Sequence, residues 1–124
     1  FFNGMIDDGH ITIYGNGNQT RDFIYVEDLC RAVLLALDSE LGGEIYNVAT
    51  GNETSITELF KIMQDVSGDL AEINISSPRQ GDILHNYSSI SKVQKYLKWN
   101  PYINLRTGLK YTWKWFDQNR EAYN

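Results

Sequence analysis

Cysteine, histidine and proline are scarce in this chain of 124 residues, which has one cysteine, two histidines and two prolines. A single cysteine, Cys30, excludes an intrachain disulfide and a zinc site with paired cysteines, and it fits a reducing, cytoplasmic setting. The two histidines, His10 and His85, lack the spacing that presents two metal ligands together. We therefore expect no metal site, and we predict that Cys30 is a core residue on the apolar stripe of a helix.

Long apolar runs and an excess of basic residues are also missing. No run approaches the ~18 residues of a membrane-spanning helix, and no basic-then-apolar pattern suggests a leader, so we expect a chain that is neither exported nor inserted in a membrane. Eleven basic and 16 acidic side chains give a net charge of −5. This balance argues against nucleic acid or an anionic membrane as a partner, because neutralising many phosphates needs a basic surface. With 42% hydrophobic residues, residues 1–124 are expected to form one globular domain.

Short strand patterns alternate with helix patterns along the chain, which indicates an α/β fold. Helices are predicted at Val26–Leu37, from the capping box that begins at Ser55 to Gly68, at about Ile90–Leu97, and from the N-cap Asn104 through Phe116. Strands are predicted at Ile11–Tyr14, Phe23–Val26, Glu44–Val48 and around Ile73 and Ile75. Residues 1–10 resemble the end of a helix whose start is missing, so we expect a fragment of a longer protein.

Two isolated arginines are the main candidates for a binding site. Residues 1–58 hold 10 acidic and 2 basic side chains, and Arg21 is one of those two. Arg79 stands alone in a loop with Pro78 and Gly81. The planar guanidinium offers forked donors that match phosphate oxygens, and a neighbouring carboxylate such as Asp22 or Asp82 can hold it in place. A surface ion pair of little energetic value is the alternative interpretation.

A complete catalytic set is missing from the sequence. Gly15 and Gly17 approach a dinucleotide-binding fingerprint, but its third glycine is absent and a strand pattern follows, so these residues predict a turn. No tyrosine is followed four residues later by lysine, and no Gly-x-Ser-x-Gly sequence occurs. The residues therefore predict an anion-binding site without catalytic residues, cofactor-binding residues or metal ligands.

Several ordered motifs resemble the extended short-chain dehydrogenase/reductases, specifically the NAD-dependent nucleotide-sugar epimerase/dehydratase family. The matching segments are Ile11–Gly17, Gln19–Asp28, Tyr46–Val48 with Thr50-Gly51, Ser55–Leu59, Arg79–Asp82, Ser91-Lys92, Leu97–Pro101, and Gly108-Leu109 through Trp115-Phe116. Together they extend over nearly the whole chain. The UDP-glucose 4-epimerase-like branch is most similar. One departure is Lys98, which stands where the family usually has glycine.

The resemblance implies a set of substrate-binding residues. Thr12 and Tyr14 would lie beside the nucleotide base, and Arg21 and Arg79 would grip the diphosphate of a UDP-sugar. Asp82 would match the acidic residue near the ribose and the arginine that it orients. The turn Gly15–Asn18 would bring backbone near the nucleotide, although a simple hairpin bend is an equal alternative.

The resemblance also implies the fold and the place of this chain in it. The chain would be the C-terminal substrate-binding portion of an extended Rossmann-type enzyme, with short strands and about four helices. It would lack the N-terminal dinucleotide-binding sheet, the NAD loop and the catalytic tyrosine–lysine pair.

The isolated chain would then bind no NAD and show no turnover, whereas the complete homodimeric epimerase would use NAD. A 4,6-dehydratase, a decarboxylase, a reductase or a stand-alone nucleotide-sugar-binding module are the alternatives.

Overall fold

A parallel pair of strands organises the structure, a computed structural model that describes residues 1–119. Strands β1 (His10–Tyr14) and β4 (Glu72–Ser76) pair over their whole length, with Tyr14 opposite Ser76. In β1 the side chains alternate between exposed and buried positions, and Ile11 and Ile13 are the buried ones. Successive side chains of a strand point to opposite faces, so one face of β1 packs on the core and the other is free to line a site.

Six further elements complete the fold. In chain order they are β2 (Thr20–Arg21), α1 (Val26–Leu37), β3 (Thr54–Ser55), α2 (Ile56–Ser67), α3 (Ser91–Leu97) and α4 (Leu105–Gln118), and a π-helical turn, Gly4–Asp8, precedes β1. Strands β2 and β3 pair antiparallel. No helix in residues 1–119 combines the length and the hydrophobicity needed to cross a membrane.

Helices α2 and α4 begin where the sequence predicted. The Ser55 hydroxyl accepts a hydrogen bond from the Glu58 amide at 3.1 Å, and the Asn104 side chain accepts one from the Thr107 amide at 2.9 Å. These caps satisfy amides that have no partner inside the helix. Helix α2 ends at Gly68, whose φ of 78° is left-handed. The predicted caps and this stop signal are confirmed.

The core consists of two clusters. In the first, β1 packs against α2, and α4 covers both through half-buried apolar side chains. Its buried residues are Phe2, Met5, Ile11, Ile13, Leu59, Phe60 and Met63. The second cluster joins α1 to α3 through Ala32, Val93, Leu97 and Trp99. The first cluster contains the buried face of β1, and it therefore fixes the position of the exposed face of this strand.

A buried carboxylate, Asp28, fastens the second cluster. It is 2% exposed and accepts hydrogen bonds from the backbone amides of Tyr102 and Ile103 at 3.0 and 2.9 Å. Its side chain also pairs with Arg31 at 2.6 Å, and its backbone carbonyl accepts from the Trp99 indole at 2.9 Å. Asp28 thus ties α1 to the segment that joins α3 and α4.

The stability of the protein should therefore depend on acid pH through Asp28. Burial acts to raise the pKa of this carboxyl, but the Ile103 amide, the Arg31 guanidinium and the Tyr102 amide together hold the pKa below its ordinary value of 3.8. The stabilisation is complete above pH 3.8 and declines as the pH falls through the lower folded-state pKa, because the unfolded chain takes up the proton first. Denaturant titrations at pH 6 and pH 3 should show a smaller stability gap between wild type and Asp28→Asn at pH 3; an unchanged gap would contradict this.

Helix α1 packs through a different face from the one expected. The apolar residues at helical spacing are exposed, for example Val33 at 52% and Leu37 at 76%, and Cys30 is exposed as well. The prediction that Cys30 is a core residue is wrong. The inward face carries Asp28 and Ala32 instead, because the hydrogen bonds of Asp28 turn that side of the helix toward the segment that joins α3 and α4.

The strand predicted at Glu44–Val48 does not form. These residues have irregular backbone in the structure, and Ile45 is 83% exposed. Tyr46 and Val48 pack instead against the second cluster. A strand needs a neighbour for its backbone hydrogen bonds, and within residues 1–119 this segment pairs with no strand.

Lys98, the departure from the family pattern, ends α3 with a left-handed φ of 53°. Glycine adopts this conformation without steric cost, whereas other residues do not. The substitution therefore leaves local strain at the end of α3.

The parallel β1–β4 pair departs from the predicted fold class. A C-terminal substrate-binding portion without the parallel dinucleotide-binding sheet was expected, yet β1 and β4 form a parallel ladder of five residues. The chain between them includes α1 and α2, which gives the long crossover that a parallel pair requires. The fold-class prediction missed this because periodicity locates strands without telling which strands pair.

Candidate functional site

A cleft of about 260 Å³ lies over the exposed face of β1. It contains all five residues that the family resemblance singled out as substrate-binding. Its lining comprises Phe1, Thr12, Ile13, Tyr14, Gln19, Arg21, Ile56, Arg79 and Asp82. We call it the arginine cleft. Residues far apart in the sequence thus meet at one place, next to the carboxyl ends of β1 and β4, which is where ligands commonly bind in parallel sheets.

Thr12 and Tyr14 reach the arginine cleft because of the strand alternation. Both lie on the exposed face of β1, while Ile13 between them points into the core. A hydroxyl and an aromatic ring two residues apart on a strand point to the same side. The side chains can therefore offer a hydrogen bond and a stacking surface to one ligand.

Arg21 is held firmly at the edge of the arginine cleft. Its guanidinium donates to the carbonyl of Thr20 at 2.7 Å and to the carbonyl of Ile83 at 2.6 Å, and it pairs with Asp82 at 2.6 Å. A guanidinium has five N–H donors, and these bonds use three of them among the described residues. The group is pre-oriented by Asp82 and still has donors for an anion. That Asp82 and Arg21 bind a nucleotide sugar stays a prediction.

Arg79 carries the second positive charge of the arginine cleft. Its guanidinium carbon lies 4.0 Å from the centre of the Tyr14 ring, a cation–π contact. Within residues 1–119 it forms no ion pair with a carboxylate. Its charge is thus not compensated in the way that the charge of Arg21 is compensated by Asp82, and it can serve a dianionic ligand.

An adjoining pocket of about 420 Å³ shares a wall with the arginine cleft. Tyr14, Gln19, Arg79 and Asp82 line both cavities. Gln19 was not selected from the sequence, although it belongs to the matched segment that contains Arg21. Its side-chain amide donates to the Tyr14 carbonyl at 2.7 Å, so it fixes the end of β1 where the two cavities meet.

Asp22 does not take part in the arginine cleft. Its carboxylate accepts hydrogen bonds from the Thr50 amide and hydroxyl at 2.8 and 2.6 Å and from the Gly51 amide at 2.8 Å. The carboxylate that holds Arg21 is Asp82 and not its sequence neighbour. Successive residues of an extended segment point in opposite directions, which explains why Arg21 and Asp22 serve different sites.

The two glycines of the turn after β1 have different surroundings. Gly15, with a φ of 85°, lines the adjoining pocket. Gly17, with a φ of 77°, lies against the start of α2, where its carbonyl accepts from the Thr57 amide at 3.1 Å. A dinucleotide loop leads into a helix N-terminus that faces the pyrophosphate, whereas this turn leads into β2. The residues of the turn therefore do not fit an NAD diphosphate.

Comparison with known proteins gives a family match at residues 1–49, to the NAD dependent epimerase/dehydratase family. The UDP-glucuronate 4-epimerase of Thermodesulfobacterium geofontis is 34% identical over 98% of this chain. The dTDP-glucose 4,6-dehydratase of Actinoplanes is 30% identical over 97% of it. This chain covers 38% of the length of each of these relatives.

A solved structure shows the same fold. The UDP-glucose 4-epimerase of Thermotoga maritima, crystallised with UDP-glucose, superposes with a TM-score of 0.88 at 34% identity. The superposition covers 96% of this chain and 38% of that enzyme.

The place of the family match corrects the predicted position of the chain. The match lies at residues 1–49, which contain β1, β2 and α1. With the parallel β1–β4 pair, it supports an α/β chain that matches the N-terminal portion of the epimerase fold and not its C-terminal part. The predicted C-terminal placement is therefore wrong. Ordered motifs establish the succession of elements along a chain, but they carry no information on strand pairing.

Proposed function

The chain belongs to the NAD-dependent epimerase/dehydratase family, and from this premise we propose that it holds the nucleotide sugar in a longer NAD-dependent nucleotide-sugar 4-epimerase. The observation that carries the proposal is the meeting of Arg21 and Arg79 in one cleft, beside Tyr14. Two guanidinium groups supply the forked donors and the charge that a diphosphate requires.

The two cavities suggest how the ligand is divided between them. Small-molecule sites usually measure about 300 to 1,000 Å³, and the arginine cleft alone, at about 260 Å³, is smaller. A nucleotide sugar would therefore extend into the adjoining pocket across the shared wall formed by Tyr14, Gln19, Arg79 and Asp82. We propose that the diphosphate lies at this wall, where Arg21 and Arg79 can both reach it.

The proposed role of the described residues is binding and orientation. NAD, when bound to enzymes, supplies hydride transfer, and the turn Gly15–Asn18 does not fit it. The cofactor site and the catalytic groups would belong to the remainder of a longer protein, since the relatives are more than twice as long as this chain. The exposed apolar face of α1, with Val33 and Leu37, supports a further part of the protein that covers it.

A nucleotide-sugar 4,6-dehydratase is the second candidate. It is favoured by the 30% identity to the Actinoplanes dTDP-glucose 4,6-dehydratase. Both reactions start from a nucleoside diphosphate sugar, so the same arginines would serve either enzyme. Incubating the full-length protein with UDP-glucose and with dTDP-glucose, each with NAD, distinguishes them: a 4-epimer identifies the epimerase and a 4-keto-6-deoxy sugar identifies the dehydratase.

Replacing Arg79 by alanine should weaken UDP binding by about 10-fold to 100-fold. Hydrogen bonds to charged groups contribute about 1.5 to 3 kcal/mol, and 1.4 kcal/mol corresponds to a factor of ten. Arg21→Lys should weaken binding by about tenfold, because lysine keeps the positive charge but lacks the two parallel N–H donors of the guanidinium. Isothermal titration calorimetry of the full-length protein with UDP gives the dissociation constants.

Arg106→Ala is the matched control for these variants. Arg106 lies on α4 and forms an exposed ion pair with Asp65 of α2 at 2.8 Å, so its loss should leave UDP affinity within about twofold. If wild type and Arg79→Ala bind UDP equally well, or if Arg106→Ala weakens binding as much, the proposed diphosphate site is wrong.

A further inference from the structure

The segment that contains Asp82 is held against β2 by hydrogen bonds and an ion pair. The Thr20 amide donates to the Leu84 carbonyl at 2.8 Å, and the Arg21 guanidinium donates to the Ile83 carbonyl at 2.6 Å and pairs with Asp82. We call residues 82–85 the strap. The strap lies more than 60 residues further along the chain than β2. The orientation of Arg21 therefore depends on whether the strap stays in place.

Three side chains meet where the strap ends. The Thr20 hydroxyl donates to the Glu53 carboxylate at 2.7 Å. The Nδ1 atom of His85 lies 3.3 Å from the Thr20 hydroxyl and 3.3 Å from the same Glu53 oxygen. These residues come from β2, from the residue before β3 and from the strap. Neither the proposed diphosphate site nor the hydrophobic core uses them.

The geometry of this cluster excludes a nucleophilic triad. In a triad the histidine accepts a proton from the hydroxyl through one nitrogen and is oriented by the carboxylate through the other. Here the Thr20 hydroxyl donates to Glu53 directly, and a single nitrogen of His85 faces both partners. The three side chains instead form polar contacts that link the strap to the β2–β3 pair.

The strength of the contact between His85 and Glu53 depends on whether the His85 imidazole is protonated. A protonated imidazole donates from Nδ1 and attracts the Glu53 carboxylate, whereas the neutral tautomer with its proton on Nε2 presents a lone pair to that carboxylate. Among the described residues, the charged group in contact with His85 is Glu53 beside β3. Asp82, in its pair with Arg21, lies in the same strap. Thr20 is the contact from β2.

We propose that His85, Thr20 and Glu53 form a positioning cluster that holds the strap, and through it the Arg21–Asp82 pair, in the arrangement that binds nucleotide-sugar diphosphates. Affinity is then higher when His85 is protonated. The inference rests on the proposed function of the arginine cleft. His85 is 68% exposed and Glu53 34%, so solvent screens the pair, and we expect about a two- to fivefold effect, as for other exposed ion pairs.

The test measures UDP-glucose affinity of the full-length protein by calorimetry at pH 5.5 and pH 8.0. UDP-glucose has no terminal phosphate that titrates in this range. Wild type should bind about two- to fivefold more tightly at pH 5.5. His85→Gln and Glu53→Gln should abolish this pH dependence, and His85→Lys should keep the tighter binding at both pH values. His10→Gln, which replaces the other exposed histidine, should retain the pH dependence of wild type.

A readout without ligand separates failure of this inference from failure of the proposed function. The protection factor of the Thr20 amide against hydrogen exchange should fall about two- to fivefold between pH 5.5 and pH 8.0 in wild type and stay constant in His85→Gln. If protection changes in this way while the protein binds no UDP-glucose, the strap is confirmed and the proposed function is wrong. If His85→Gln retains the wild-type pH dependence of protection or affinity, the positioning cluster is wrong.

Discussion

Replacing Asp28 by alanine is expected to lower the free energy of unfolding by about 3 kcal/mol. The side chain is 2% exposed, and its removal leaves the amides of Tyr102 and Ile103 without their acceptor. These hydrogen bonds are half-buried, and a donor that loses its partner away from water costs about 1 to 3 kcal/mol. The guanidinium of Arg31 would lose its carboxylate as well.

Two further variants make this prediction specific. Asp28→Asn keeps one acceptor oxygen but loses the charge, so about 1 to 2 kcal/mol of destabilisation is expected. Asp65→Ala removes a carboxylate from an exposed pair with Arg106, and it should cost less than about 0.5 kcal/mol. Urea titrations followed by circular dichroism give all three values. Equal destabilisation by Asp28→Ala and Asp65→Ala would show that the Asp28 network does not stabilise the fold.

Replacing Gly17 by alanine is expected to destabilise the fold by about 3 kcal/mol and to weaken UDP binding. Its φ of 77° is a left-handed conformation, and a non-glycine residue held in such a conformation costs about 1 to 3 kcal/mol. A Cβ at Gly17 would also overlap the Thr57 hydroxyl, and forcing extra atoms into a packed site costs about 1 to 3 kcal/mol. The turn that leads from Tyr14 to Gln19 would have to move away from α2.

Gly43 offers the matched control for this variant. Its φ of 75° is almost the same, but no atom lies within 4 Å of a Cβ built on it. Gly43→Ala therefore isolates the conformational cost, about 1 kcal/mol, and should leave UDP affinity unchanged. Thermal and urea unfolding give the stabilities, and calorimetry gives the affinities. If Gly17→Ala and Gly43→Ala destabilise equally, the close packing of the turn on α2 has no energetic importance.

The helices could be predicted from the sequence with good accuracy. Ser55 and Asn104 mark the starts of α2 and α4, because a side-chain oxygen there satisfies amides of the first turn, and Gly68 marks the end of α2. These signals act between residues that are close in sequence. The sequence did not show which face of α1 packs inward, since the hydrogen bonds of Asp28 reach Tyr102 and Ile103, more than 70 residues away.

The candidate site was predicted in part. Loop arginines in an acidic region suggested anion binding, and the matched motifs added Thr12, Tyr14 and Asp82. The sequence could not choose between Asp22 and Asp82 as the partner of Arg21. That choice depends on the strap, whose carbonyls and carboxylate approach Arg21 only in the folded chain. Gln19 was missed because a glutamine carries no distinctive signal of its own.

The sequence alone determined the helix boundaries with their caps, the turns at the glycines and the similarity to the NAD-dependent epimerase/dehydratase family. All of these depend on residue types and on short spacings, which a linear chain displays directly. The tertiary structure decided that β1 and β4 pair in parallel, that the apolar stripe of α1 is exposed and that Arg21 binds Asp82. These features arise from contacts between residues 61 to 75 positions apart, where backbone hydrogen bonds and the burial of side chains select one arrangement among many that the sequence permits.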